Sequence, residues 1–222
     1  LAAIDAQTRV VFVANPNNPT GTWFDAQALN DFLQDVPEHV LVVLDEAYIE
    51  YAEGSDLPDG LDFLAAYPNL LVSRTFSKAY GLAGARVGYG FGTAGTVSAF
   101  DKIRNHFGVG RIAQAGALAA LADQAWLAQV QARVASGRAR LAAIARANGA
   151  SPLPSATNFV TMDLGRDGDF ARATLQALTG LGVFVRMPGV APLDRCLRVS
   201  VGNDAALDVF EEVLPKALKA AG

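Results

Sequence analysis

One cysteine, two histidines, two methionines and two tryptophans are all that the 222 residues hold of these types, and this scarcity excludes several chemistries at once. Cys196 alone forms no internal disulfide, and His39 and His106 lie too far apart for metal-ligand spacing, so a disulfide scaffold and a zinc site are both ruled out in favour of a reduced, cytoplasmic protein. No block of basic residues is present: Lys and Arg number 18 against 22 Asp and Glu, with a net charge of -4 and a pI near 5.1. A nucleic-acid partner needs concentrated positive charge, so none is expected. Long apolar runs are lacking too. Val40 to Leu44 falls far short of the roughly 20 residues of a membrane helix, and the Ala-rich stretch Ala113 to Val134 is interrupted by Gln and Asp. No membrane span is therefore expected, and beyond the Ala bias there is neither an internal repeat nor a low-complexity tract. An initiating Met, a basic leader and a cleavage-site pattern are also missing. The chain starts at Leu1 and enters a strand-like run at Arg9, so it reads as a piece of a longer protein.

What is present suffices for a folded protein: 51% of the residues are hydrophobic and 18% charged, enough for one large core or two small ones. Apolar, β-branched runs recur at Val10 to Ala14, Val40 to Leu44, Leu70 to Ser73 and Arg86 to Phe91, with a helical pattern at Asp25 to Asp35 between the first two. That alternation predicts a mostly parallel α/β sheet. Runs so uniformly apolar suit a sheet covered by helices on both faces, whose ligand site lies beyond the carboxyl ends of its strands. Val97 to Ala147 predicts a long connecting helix ending near Asn148-Gly149. After the Pro152 and Pro154 break come strand Asn158 to Asp163, helix Gly168 to Leu178, strands Val183 to Arg186 and Cys196 to Val201, and helix Ala205 to Ala220. The reading is a partial large domain over 1–130 and a smaller α+β domain over 131–222.

The segments just after each predicted strand carry the polar chemistry. Asn15-Pro-Asn-Asn-Pro-Thr-Gly21 is a loop stiffened by two prolines, and taken alone it favours a plain turn over a ligand cradle. Val42-Val-Leu-Asp45-Glu-Ala-Tyr48 puts a carboxylate at the sheet edge and a phenol about one helical turn on, although an Asp there also suits an N-cap. Ser73-Arg-Thr75-Phe-Ser77-Lys78-Ala-Tyr-Gly-Leu-Ala-Gly-Ala-Arg86-Val-Gly88-Tyr sets a lysine among hydroxyls, glycines and apolar side chains. With Arg74 and Arg86 near it, such a lysine is expected to be shifted toward the nucleophilic free amine. Together these groups match an aromatic aldehyde cofactor with a ring nitrogen, a phenolic oxygen, a phosphate and a reactive carbonyl carbon.

NPNNPTG, LDEAY and RTFSKAYGLAGARVGY, in this order, resemble the large-domain motifs of the fold-type I, class I/II aminotransferases, which depend on pyridoxal 5′-phosphate. The resemblance implies Lys78 as Schiff-base lysine and Cα proton shuttle, and Asp45 as partner of the ring nitrogen. It implies Asn18 and Tyr48 as hydrogen-bond partners of the ring oxygen, and Arg86, with Thr75 and Ser77 by their spacing from Lys78, as phosphate ligands. LRVSVG in the C-terminal part is similar to the element whose arginine binds the substrate's anionic group. Arg198 is thus the expected substrate anchor and Arg186, in VFVRMPG, a second; Arg195 is expected to face solvent.

Within the class, the combined pattern is most similar to the histidinol-phosphate aminotransferases of histidine biosynthesis. Two arginines suit a phosphate dianion, and 2-oxoglutarate and glutamate are the implied acceptor and product. Guanidinium geometry serves a carboxylate equally, so aromatic amino-acid aminotransferases and threonine-phosphate decarboxylases stay open. A reading of another class is the cofactor-binding domain of a transcription regulator, though no basic recognition helix is visible. The resemblance further implies a homodimer. The family's N-terminal arm, phosphate-binding loop and ring-stacking aromatic do not precede Asn15. Exposed sheet edges, and weak cofactor binding by this stretch alone, are therefore expected.

Overall fold

The computed structural model describes residues 1–52 and 56–222. The chain folds as two compact units, one of Leu1–Asn17 with Trp23–Gln131 and one of Asn18–Thr22 with Ala132–Gly222.

The first unit is built on strands β1 (Val10–Ala14), β2 (Leu41–Asp45), β3 (Leu70–Thr75) and β4 (Gly88–Phe91), ordered β1-β2-β3-β4. The first three run parallel and β4 is antiparallel to β3. Helix α1 (Ala26–Asp35) connects β1 to β2. It starts where Asp25 accepts a hydrogen bond from the Ala28 amide at 2.8 Å, which satisfies one of the free amides of the first turn. Its Leu29 and Leu33, four apart and so on one face, pack with Val40, Val42, Leu44, Leu70 and Val72. The same core receives Val11 and Val13 of β1, while Phe12, on the opposite face, is 77% exposed. β1 is an edge strand covered on one face, as the expected exposed sheet edge requires, whereas β2 inside the sheet buries Val42, Val43 and Leu44 on both faces.

β4 begins two residues later than the run Arg86 to Phe91 suggested. Arg86 stands at φ 52, in the left-handed region, and cannot continue an extended strand. Gly88, opposite Thr75, is the first paired residue. A Cβ there would sit 2.8 Å from the Arg74 carbonyl oxygen, and backbone cannot yield as a flexible side-chain tip does. Gly88→Ala is therefore expected to lose about 1–3 kcal/mol of stability, as overpacking does; urea unfolding with an unchanged midpoint would contradict it.

In place of one long helix there are three: α2 (Ala94–Ile103), α3 (Arg111–Ala122) and α4 (Gln124–Ala147). Arg104 turns extended at ψ 150 and Gly110 caps α3. Asp123 then leaves the helical region, and its carboxylate accepts from the Trp126 amide at 3.0 Å, starting α4. The signals were in the sequence as Gly108, Gly110 and Asp123, which favour ends and caps over helix interiors.

The second unit takes most of α4, from Ala132 on, strands β5 (Ser151–Pro152), β6 (Phe159–Asp163) and β7 (Cys196–Ser200), and helices α5 (Gly168–Gly180) and α6 (Asp204–Ala221). The strands are antiparallel in the order β5-β6-β7. Asp167 and Asn203 cap α5 and α6 through the amides of Phe170 and Ala206. Leu141, Met162, Leu178, Leu197 and Leu214 are fully buried at its centre. Asn18–Thr22 belongs to this unit because the Ala156 amide donates to the Gly21 carbonyl at 2.9 Å and the Thr161 hydroxyl donates to the Pro19 carbonyl.

Val183 to Arg186 forms no strand, contrary to expectation. Only Arg186 pairs, exchanging two backbone hydrogen bonds with Arg198 at 3.1 and 2.6 Å. Pro188 follows, with no amide to extend a ladder. Among the described residues no helix is long and apolar enough to cross a membrane, and no group of three or more His, Cys, Asp or Glu is placed to hold a metal ion.

Candidate active site

In the first unit the parallel register brings the carboxyl ends of three strands to one edge. The Asn15 amide donates to the Asp45 carbonyl at 3.0 Å, and the Glu46 amide to the Ser73 carbonyl at 2.9 Å. Asn15 is 1% exposed and acts as a clamp: its side-chain amide donates to the Phe24 carbonyl at 3.2 Å, and its side-chain oxygen accepts from the Phe24 amide at 3.1 Å. A buried Asn satisfied in this way holds the loop after β1 closed at its base.

Asp45 is the last residue of β2, and one of its oxygens accepts from the Ala47 amide at 3.1 Å. That bond turns the chain out of the strand and leads to buried Tyr48, which precedes a single 3₁₀ turn, Ile49–Tyr51. After β3 the chain tightens in the same manner. The Ser77 amide donates to the Thr75 hydroxyl at 3.1 Å and the Gly81 amide to the Lys78 carbonyl at 3.0 Å. The Lys78 ammonium is brought to 5.2 Å from the centre of the Tyr48 ring, within cation–π range. Phe76 and Ala79, on either side of Lys78 in sequence, are buried at 3% and 2% exposure. Arg86 is exposed, donates to the Ala83 carbonyl at 2.9 Å, and precedes the β4 residue that pairs with Thr75. Asp45, Tyr48, Thr75, Ser77, Lys78 and Arg86 thus share one end of one sheet.

Arg74 plays another part than the one expected of it. β3 alternates its side chains, so Arg74 departs from the face of Ser73 and Thr75. Its guanidinium meets Glu46 at 2.8 Å and Asp59 at 2.6 Å and lies over the Phe91 ring at 5.9 Å. The charge is committed to carboxylates and is not what sets the surroundings of Lys78. Glu46, 1% exposed, also accepts from the Gly60 amide at 2.6 Å. Burial pushes its carboxyl above the usual carboxylate range, against the pull of Arg74 and the Gly60 amide. The sequence reading missed this pair. Its signal was a glutamate directly after the Asp45 that ends β2, one strand away from an arginine on β3.

In the second unit, Asn18, Arg186 and Arg198 are brought together. An Arg198 Nη1 donates to the Asn18 side-chain oxygen, and the guanidinium stacks over Phe159 at 5.0 Å. Arg198 lies between buried Leu197 and Val199, so it projects from the face of β7 opposite the core. Its Nε is buried without a hydrogen-bond partner among the described residues. Arg186 is exposed over the Phe184 ring at 5.4 Å. Pro19, Arg186, Met187, Pro188 and Arg198 line a recess of about 150 Å³. Arg195 is half exposed and paired with Asp163 at 2.5 Å.

Lys78 beside the Tyr48 ring at the carboxyl edge of a parallel sheet, with Asp45 on the neighbouring strand end, is the arrangement expected of an aminotransferase of this class. Residues 1–214 match the family model for aminotransferase class I and II, and the chain belongs to this family. It is 59% identical over 218 residues to histidinol-phosphate aminotransferase 2 of Pseudomonas fluorescens strain Pf0-1, covering 98% of this chain and 58% of that relative. The corresponding protein of Pseudomonas aeruginosa is 55% identical, with the same coverage. Among solved structures, histidinol-phosphate aminotransferase of Sinorhizobium meliloti in complex with pyridoxal-5′-phosphate superposes with a TM-score of 0.92 at 50% identity, covering 96% of this chain and 58% of that one. The chain thus spans about 58% of the length of the relatives it matches.

Proposed function

We propose that this protein is a pyridoxal-phosphate-dependent aminotransferase that takes its amino group from histidinol phosphate and passes it to 2-oxoglutarate. The observation that carries this reading is Lys78 against Tyr48 at the sheet edge that also bears Asp45. The residues present fit the cofactor by the chemistry of their donors. When bound, pyridoxal phosphate supplies an electron sink for the pair left at the substrate's Cα.

Lys78 is the covalent anchor, and once the substrate amine has taken its place it is the base that moves the Cα proton. Asp45 carries the negative charge that keeps a pyridine nitrogen protonated. Tyr48 and the Asn18 side-chain amide are assigned to the ring oxygen; the Asn18 oxygen is already held by Arg198. Thr75, Ser77 and Arg86 are assigned to the phosphate. Arg86 uses one N–H on Ala83 and, with five donors on a guanidinium, keeps others for an anion.

Arg198 and Arg186 are assigned to the substrate's anionic group. The buried Nε of Arg198, unpaired among the described residues, supports this, because a guanidinium N–H out of solvent without an acceptor is costly until an anion supplies one. Two guanidinium groups also match a phosphate dianion better than a single carboxylate. The family resemblance further supports a cytoplasmic homodimer and a two-domain division near residue 130.

The test is to compare histidinol phosphate with phenylalanine and tyrosine as amino donors, 2-oxoglutarate being the acceptor. Histidinol phosphate should be favoured in kcat/KM by at least about tenfold, the worth of one charge-assisted hydrogen bond. Equal turnover of the three would remove histidinol phosphate as the substrate. Failure of the protein to develop an absorbance band with pyridoxal phosphate would remove the whole reading.

A further inference from the structure

Glu50 has no part in the assignments above, yet it sits on the turn that holds Tyr48. The Ile49 amide donates to Glu46, the Tyr51 amide to Tyr48 and the Ala52 amide to Ile49, so residues 46–52 form one continuous turn. The Gln131 side chain pins that turn by donating to the Glu50 carbonyl at 2.7 Å. Glu50 Oε2 is out of solvent and has no hydrogen-bond partner among the described residues. Four ionisable groups interact with it electrostatically: Glu46 after β2, Arg74 on β3, Tyr80 after Lys78, and Tyr89 on β4. Arg74, the one cation of the four, is already bound to Glu46 and Asp59. Tyr80 and Tyr89 both pack on Phe76, at 5.1 and 5.2 Å between ring centres. The same cluster therefore borders the Lys78 segment.

We propose that Glu50 is a positioning residue, which keeps the Tyr48 turn against Lys78 only while its own carboxyl is uncharged. This rests on the assignment of Tyr48 and Lys78 to the cofactor. An ionised carboxylate with a buried, unpaired oxygen is expensive, and a neutral one is far less so. Burial accordingly pushes the Glu50 carboxyl up to about 7. The sign follows from linkage: the folded state holds this proton more tightly than the unfolded chain does. The stabilisation is therefore complete below the ordinary value of 4.5 and is lost as pH rises through about 7. Above that, the new charge meets Glu46 and two phenols with no uncommitted cation among these neighbours. It is driven toward water, and the turn goes with it.

Amide NMR of 15N-labelled protein without cofactor tests this directly, followed from about pH 5 to about pH 9 across the neutral range. Tyr48 and Lys78 should shift with a midpoint near 7 in the wild type. Both should stay flat in Glu50→Gln, which keeps the shape of the neutral acid and cannot ionise. Pyridoxal-phosphate affinity should weaken about tenfold over the same range in the wild type, the free-energy equivalent of one pKa unit, and stay constant in the variant. A wild type with no such amide midpoint, or a midpoint that persists in Glu50→Gln, overturns the proposal. If the amides behave as expected and no cofactor binds, the positioning role stands and the aminotransferase reading falls.

Discussion

Lys78→Ala is expected to abolish the absorbance band formed with pyridoxal phosphate and to lower turnover by roughly 10²–10⁴-fold or more, the range supplied by a positioned acid–base group. The loss follows from chemistry rather than from folding. Lys78 is half-buried, and the contact seen for its ammonium is the face of the Tyr48 ring, so removing it leaves no buried charge without a partner. Stability should change by no more than about 1 kcal/mol, as for substitutions outside a core. Lys78→Arg should fail to rescue activity. It restores the positive charge over the ring, but a guanidinium stays protonated and offers no free amine to an aldehyde. Stopped-flow absorbance and steady-state turnover of the two variants, with thermal unfolding alongside, would settle it. Appreciable activity in Lys78→Ala would remove the lysine from the reaction.

Arg74→Met should have the largest effect on stability, about 3–5 kcal/mol, the cost of taking one partner from a buried ion pair. Glu46 is 1% exposed, and Arg74 supplies two of its contacts, from Nε at 2.9 Å and Nη2 at 2.8 Å. Methionine fills much of the arginine's volume and provides none of the charge, so the penalty is electrostatic rather than a cavity. Burial already holds the Glu46 carboxyl above its ordinary range, and losing Arg74 raises it further. The folded variant then retains a proton that the unfolded chain releases. Its deficit should accordingly be small below the ordinary glutamate value of 4.5 and grow as pH rises above it. Glu46→Gln in the same background should recover part of the loss, because a neutral amide needs no counter-charge. Urea unfolding at acidic and at mildly alkaline pH gives both readings. A loss under about 1 kcal/mol, of the size typical of exposed pairs, would mean that water reaches this pair freely.

Much of the fold was legible because period and composition carry it. Val10 to Ala14 became β1 residue for residue, and β2 and β3 follow the apolar runs that announced them. Three other features were read too simply. Asp123 looked like an interruption within a helix and proved to be the cap of the next one. Val183 to Arg186 has a strand's composition but makes only one reciprocal backbone pair, since the segment leaves straight from the end of α5, where the Val183 amide donates to the Leu178 carbonyl at 2.9 Å. The run Arg86 to Phe91 was read two residues too long, because Arg86 at φ 52 delays β4 until Gly88.

The site divides along the same line. The strand-end motifs and the family resemblance they carry put forward Lys78, Asp45, Tyr48, Thr75, Ser77 and Arg86, and the parallel register brings all six to one end of one sheet. Alone, the sequence also determined the family and the alternation of strand and helix, both properties of local pattern. Only the tertiary structure decided that Arg74 turns from Lys78 to Glu46, that Asn18 is held by Arg198, and that Glu50 is enclosed with an oxygen unpaired among the described residues. These depend on register and on what lies across from a side chain. Burial and counter-charge are set by neighbours distant along the chain, and no pattern within a short window encodes them.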